Sequence, residues 1–301
     1  MSATATAAFA SSLEAPRVTP WLGLIRRHPV RAFFALAFAF SWAIMIPLTL
    51  SSYGLFPFPG GVPLLIVMGY GPTFAAIAVT AALGGWPAVR ALLARLLIWR
   101  VGWRWYAVAL LLNGALVLGA IGLYAVLGGV VPAWPEIGPG LLIDIVITFL
   151  VVTLVNGEEI GWRGFALPVM QARWGVPLTV LMLGTIEALF HLPIFFNNGA
   201  SEAGGQNGTP LLAFVASSVL AMVLFAWLFN NTRGSLLIAS MFHGSMNTWS
   251  NVLPFPAASP SFFWCLAAVQ LGICAVVVVF GWHTARRARL PEIASRMTEA
   301  G

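Results

Sequence analysis

Residues 139–164 read PGLLIDIVITFLVVTLVNGEEIGWRG. Up to Asn156 this is an apolar run with Asp144 as its one charge. A helix rises 1.5 Å per residue, so about 20 apolar residues cross a hydrocarbon core of ~30 Å. A spanning helix over 139–158 therefore ends on two adjacent carboxylates, Glu158 and Glu159, with Arg163 close behind. This stretch sets both the architecture, apolar helices in a bilayer, and the place to look for chemistry.

Working outward, the same pattern repeats. Of 301 residues, 60% are hydrophobic and 8% charged, and the mean hydropathy is +0.92. A soluble domain carries about 25% charged residues, and a chain this poor in charge cannot cover a water-facing surface. Further runs of spanning length lie near 32–50, 62–84, 106–128, 176–194, 210–229, 235–252 and 261–283. The expected fold is all-α, a polytopic bundle of about eight transmembrane helices, with the fifth and seventh runs interrupted by polar residues. The expected organisation is a disordered cytoplasmic tail over 1–30, a helical bundle over 31–285 and a cytoplasmic tail over 286–301. The first run is too long for a signal-peptide core and reads as an uncleaved span. Gly199–Gly208 reads as a flexible external loop.

All 15 basic residues are arginines. They fall before the first run, between the second and third, after the fourth, after the sixth and after the eighth. The alternate loops hold only Glu136 and Glu202. The positive-inside bias then puts both termini in the cytoplasm. A net charge of +6 does not signal nucleic acid, because the arginines form no basic domain. Residues 86–105, WPAVRALLARLLIWRVGWRW, suit an amphipathic linker or a helix in the cytoplasmic interface. Cys265 and Cys274 share one apolar run at a spacing that neither bonds them nor binds metal, and they read as core residues.

An ionisable group at mid-bilayer costs roughly 2.5–3.5 kcal/mol, so those that persist are paired or functional. The candidates are Asp144, Glu158, Glu159, Glu187, His191 and His243. Three clusters form. Glu159 and Arg163 are i,i+4 on a continuing helix, so they can pair and leave Glu158 free. Glu187 and His191 are also i,i+4; a carboxylate on one ring nitrogen fixes the tautomer and frees the other as base or ligand. Pro193 stops or kinks that helix. His243 and Asn247 again share a face and can donate toward one point, as an oxyanion site requires. Each cluster also has a bland reading, as a helix-end charge group or interhelical hydrogen bonds. Together they supply the base, water position and oxyanion donors of a hydrolase.

The ordered set Glu158-Glu159-x-x-x-Arg163, His191-Leu-Pro and His243-x-x-x-Asn247 resembles the CPBP family of intramembrane proteases, also called Abi. That family includes the type II CAAX prenyl endopeptidases. The resemblance implies an intramembrane endopeptidase, with Glu158 as general base and His191 helping to position a water. It implies His243 and Asn247 as oxyanion stabilisers, and Glu159 and Arg163 as supports for Glu158. The family is described both as metalloproteases and as metal-free glutamate proteases. A zinc reading uses His191, His243 and Glu158 as ligands, though no HExxH is present. The family usually has an aromatic residue four before the histidine, where this chain has Glu187. Glu187 is expected to act as a partner of His191.

The implied partners are a peptide or protein substrate entering from the cytoplasmic side and the surrounding lipid, with no nucleic acid. The all-arginine composition points to a bacterial cell membrane. Two other functions fit the same residues: a proton-coupled transporter, or a non-catalytic scaffold or immunity-type protein. One geometric tension stands out. His191 lies 17 residues past Trp174, a residue expected at the cytoplasmic interface, so a straight helix carries it away from Glu158. An interfacial or re-entrant fold of Gly164–Pro177 is the expected resolution.

Overall fold

The computed structural model describes residues 20–60, 62–198, 209–254, 256 and 259–281. Expectations for residues 1–19, the 199–208 loop and the 286–301 tail lie outside these. Within the range read as a tail, α1 (Pro20–Arg27) is helical, and the Arg26 side chain donates from Nε to Ala82 O at 3.1 Å. Next come α2 (Pro29–Ser52), the short α3 (Val62–Gly69), α4 (Gly71–Ala94), α5 (Trp103–Val126) and α6 (Pro139–Val155). A π-helical segment (Ile160–Ala166) runs into α7 (Leu167–Phe190), followed by the one-turn α8 (Leu192–Phe195). Then α9 (Leu211–Asn231), α10 (Leu236–Val252) and α11 (Pro260–Val276) complete the bundle. No strand occurs among the described residues.

Among the described residues, six helical segments are long and apolar enough to span a membrane: Pro29–Ser52, Ile66–Leu97, Trp103–Val126, Ile160–Phe190, Leu211–Asn231 and Pro260–Phe280. The apolar α6 and the more polar α10, each 17 residues, bring the long elements to eight. The chain is an all-helical, polytopic membrane protein. Large apolar side chains stay exposed along its flanks, among them Leu142, Ile147 and Leu154 of α6, because lipid, not water, is their solvent.

Two of the segments are longer than any bilayer needs, and both are broken by the same device. Gly85 (φ 67°) and Gly175 (φ 72°) take a left-handed conformation open to glycine, and a proline two residues later starts the next leg. At Gly175 the break explains how the site closes. The legs 160–174 and 176–190 each run about 22 Å, yet the residues flanking them, Glu158 and His191, approach to 3.9 Å. The legs therefore double back on one another. The expected fold-back of Gly164–Pro177 thus takes the form of two helical legs: residues 160–174 are helical, and Gly161 to Met170 are buried throughout.

A correction concerns the arginines. Arg163 does not sit in a loop but in the π segment, 1% exposed. Arg95 also turns inward, donating from Nε to Gly234 O at 3.1 Å and from Nη1 to Gly164 O at 2.9 Å. It thereby ties the linker after α4 to both the α9–α10 turn and the π segment. Cys265 and Cys274 are free, buried thiols. Asp144 is exposed on α6, near the end away from Glu158, and stands apart from the other candidate residues.

Candidate active site

The site begins where α6 ends. Asn156 Oδ1 accepts from the Glu158 N–H at 3.0 Å, a local turn that stops the helix and aims the next residues. Thr73 Oγ1 donates to Gly157 O, anchoring this turn to the start of α4. Gly161 sits against Pro72 so closely that a Cβ would fall on the proline backbone. Around these contacts the chain enters a π turn. Such turns insert an extra residue per turn and re-aim the side chains, and they are frequent at functional sites.

Two carboxylates one residue apart then diverge. Glu159 points inward: its Oε1 accepts from Arg163 Nη1 at 3.0 Å and lies 2.6 Å from His243 Nδ1 on α10. Glu159 and Arg163 are each 1% exposed. The Arg163 guanidinium also stacks on Phe225, with Cζ 3.5 Å from the ring centroid, so a buried cation is held on a π face as well as by anions. Glu158 points toward His191: Glu158 Oε1 lies 3.9 Å from His191 Nε2, and Oε2 accepts from Trp162 Nε1 at 3.0 Å. These two side chains are 14% and 22% exposed, so this half is open where the Glu159 half is sealed.

The i,i+4 expectation for Glu187 and His191 finds the right residue and the wrong atom. His191 Nδ1 lies 2.9 Å from the main-chain oxygen of Glu187. A carbonyl only accepts, so Nδ1 carries a hydrogen, and in the neutral ring Nε2 then presents its lone pair toward Glu158. The Glu187 carboxylate instead accepts from Arg163 Nη1 at 2.8 Å. A permanent guanidinium outcompetes a neutral imidazole for a carboxylate. Likewise Glu159 contacts Arg163 and His243 rather than supporting Glu158 directly. The break after α7 leaves carbonyls that α2 satisfies: Trp42 Nε1 donates to Phe190 O and Thr49 Oγ1 to Pro193 O, each at 2.8 Å.

Asn247 lies one turn past His243, half-buried. Among the described residues its side chain has no hydrogen bond to Glu158, Glu159, His191 or His243. Glu158, Glu159, Arg163, Glu187, His191 and His243 thus form one linked set. Trp162, Phe225 and Arg95 join that set without having been singled out in the sequence. Trp162 is four residues from Glu158, the same spacing that pointed to Arg163, but an indole in an apolar run reads as packing. Among the described residues no three His, Cys, Asp or Glu side chains group as a metal site. The zinc reading would use His191, His243 and Glu158; His243 turns Nδ1 to Glu159, which leaves Nε2 as its nitrogen for a ligand or substrate.

Known proteins match over this region. Residues 138–249 match the family described as Type II CAAX prenyl endopeptidase Rce1-like. The similarity to that family covers this stretch of the chain. It runs from the start of α6 almost to the end of α10 and contains every motif residue named above, so the CPBP resemblance stands on more than the motifs. A protein of Methanococcus maripaludis described as CAAX prenyl protease 2 is 28% identical over 103 residues. That alignment covers 34% of this chain and 38% of the relative's length.

Proposed function

We propose that this protein is an intramembrane endopeptidase that hydrolyses a peptide bond with a water held between Glu158 and His191. The observation that carries the reading is the 3.9 Å separation of Glu158 Oε1 and His191 Nε2. It is too long for a direct hydrogen bond and suits one bridging water. Glu158 takes a proton from that water as the oxygen attacks the substrate carbonyl carbon. His191, held by its Nδ1–H on the Glu187 carbonyl, accepts the second hydrogen bond of the water and orients it. The carbonyl oxygen becomes an oxyanion, stabilised by the Asn247 amide and by the Nε2–H of His243 as an imidazolium, whose Nδ1–H is held by the Glu159 carboxylate. Protonated Glu158 then gives its proton to the leaving amine, and the C–N bond breaks.

The reaction is written with the chain's own residues. The substrate class is a peptide that reaches the site from the arginine-bearing end of the bundle, taken as cytoplasmic. Gly164, six residues beyond Glu158, already touches Arg95 of that end, which supports entry over a short distance. The relative's description makes a CAAX-type C-terminal peptide the first substrate to test. Leader-peptide and membrane-protein processing are the next.

The test is cleavage by purified protein in detergent or liposomes. Glu158→Ala and His191→Ala are each expected to lower cleavage by ~10³-fold, the scale of a lost general base, while the folded protein still accumulates. Cleavage retained in both variants would sink the assignment.

A further inference from the structure

The pairing of Glu187 goes beyond the motif roles. Its carboxylate Oε1 lies 2.8 Å from Arg163 Nη1, and Glu159 Oε1 lies 3.0 Å from the same nitrogen. One Nη1 thus spends one hydrogen on each carboxylate. The main-chain oxygen of Glu187, meanwhile, holds His191 Nδ1 at 2.9 Å. Glu159 passes the other connection on, reaching His243 Nδ1 at 2.6 Å. A single residue in the last turn of α7 therefore grips both halves of the site, His191 through its backbone and the Arg163–Glu159–His243 chain through its side chain. An aromatic residue, the usual occupant in the family, would keep the backbone grip and lose the ionic one.

We infer that Glu187 is a positioning residue, fixing the Glu158–His191 half in register with the Glu159–His243 half through the shared Arg163 Nη1. The inference rests on the peptidase reading for its kinetic consequence but not for its structural one. Register matters because the water and the oxyanion donors must face the same carbonyl, and a misplacement of about 1 Å can cost ~10²-fold in rate. Arg163 keeps Glu159 as a counter-ion when Glu187 is replaced, so the fold is not asked to bury a bare cation.

Two measurements test it. In the first, Glu187→Ala and Glu187→Phe are expected to lower kcat by ~10–100-fold with KM within about twofold. Glu187→Gln, which keeps an oxygen for Nη1, is expected to stay within about threefold of wild type. Ala and Phe variants with wild-type kcat, or a Gln variant as slow as Ala, overturn the inference. The second needs no substrate: thermal unfolding of Glu159→Gln, Glu187→Gln and the double variant. Each single variant leaves Arg163 one carboxylate, so the double loss is expected to exceed the sum of the singles by ~3 °C or more. Additive losses contradict the shared donor whatever the fate of the peptidase assay. A wild type that cleaves nothing contradicts the proposed function and leaves this thermal result to stand.

Discussion

Glu158 and Glu159 are neighbours in sequence and opposites in setting. Around Glu159 the contacts are short, 2.6 Å to His243 and 3.0 Å to Arg163, and solvent is shut out. Around Glu158 the nearest imidazole nitrogen is 3.9 Å away and both side chains keep some exposure. The two glutamates stand at the bend that leads into the π segment, where the chain turns their side chains apart. One carboxylate is consumed in fixing the structure; the other keeps some exposure and a looser contact to its imidazole. A site in lipid needs both, because unpaired charge there is too costly to leave at every position.

The contrast can be broken first at Arg163. It is held by both inner carboxylates, and its removal leaves Glu159 and the half-buried Glu187 without the guanidinium. Arg163→Ala is expected to cost ~3–5 kcal/mol, the range for breaking a buried pair. Thermal unfolding in detergent and the yield of folded protein both read this. A variant as stable as wild type would mean that the inner cluster carries no structural weight.

A gentler probe touches the open half. Trp162 donates to Glu158 Oε2 at 3.0 Å while its ring packs edge-on against Phe33 and Phe190. Trp162→Phe keeps an aromatic ring there and removes the donor. A hydrogen bond worth ~0.5–1.5 kcal/mol translates to a kcat lower by ~2–10-fold, alongside the lower unfolding temperature expected when a smaller ring fills a fully buried site. No change in kcat would show that Glu158 is oriented by other contacts.

Much of this was legible in the sequence because hydropathy and the i,i+4 rule act locally. The eight long elements follow from runs of apolar residues, and the Glu159–Arg163 pair follows from spacing alone. The helical path beyond Gly164 was hidden, since the glycines and prolines between Gly164 and Pro177 point to an interfacial or re-entrant piece. In the fold Gly161 permits close approach to Pro72, and only Gly175 turns the chain. The role of Glu187 was misread for a related reason. Spacing names its neighbour on the same helix, whereas its carboxylate answers to a guanidinium 24 residues away. Arg95, whose partners lie 69 and 139 residues off, left no local signal.

The division of labour between the adjacent glutamates is tested most directly by assaying Glu158→Gln and Glu159→Gln side by side for cleavage per folded molecule and for unfolding temperature. Glu158→Gln is expected to lose ~10³-fold in cleavage with its unfolding temperature intact. Glu159→Gln is expected to unfold earlier and to keep the larger share of activity. The reverse order, an active Glu158→Gln beside a dead but fully stable Glu159→Gln, would contradict the account.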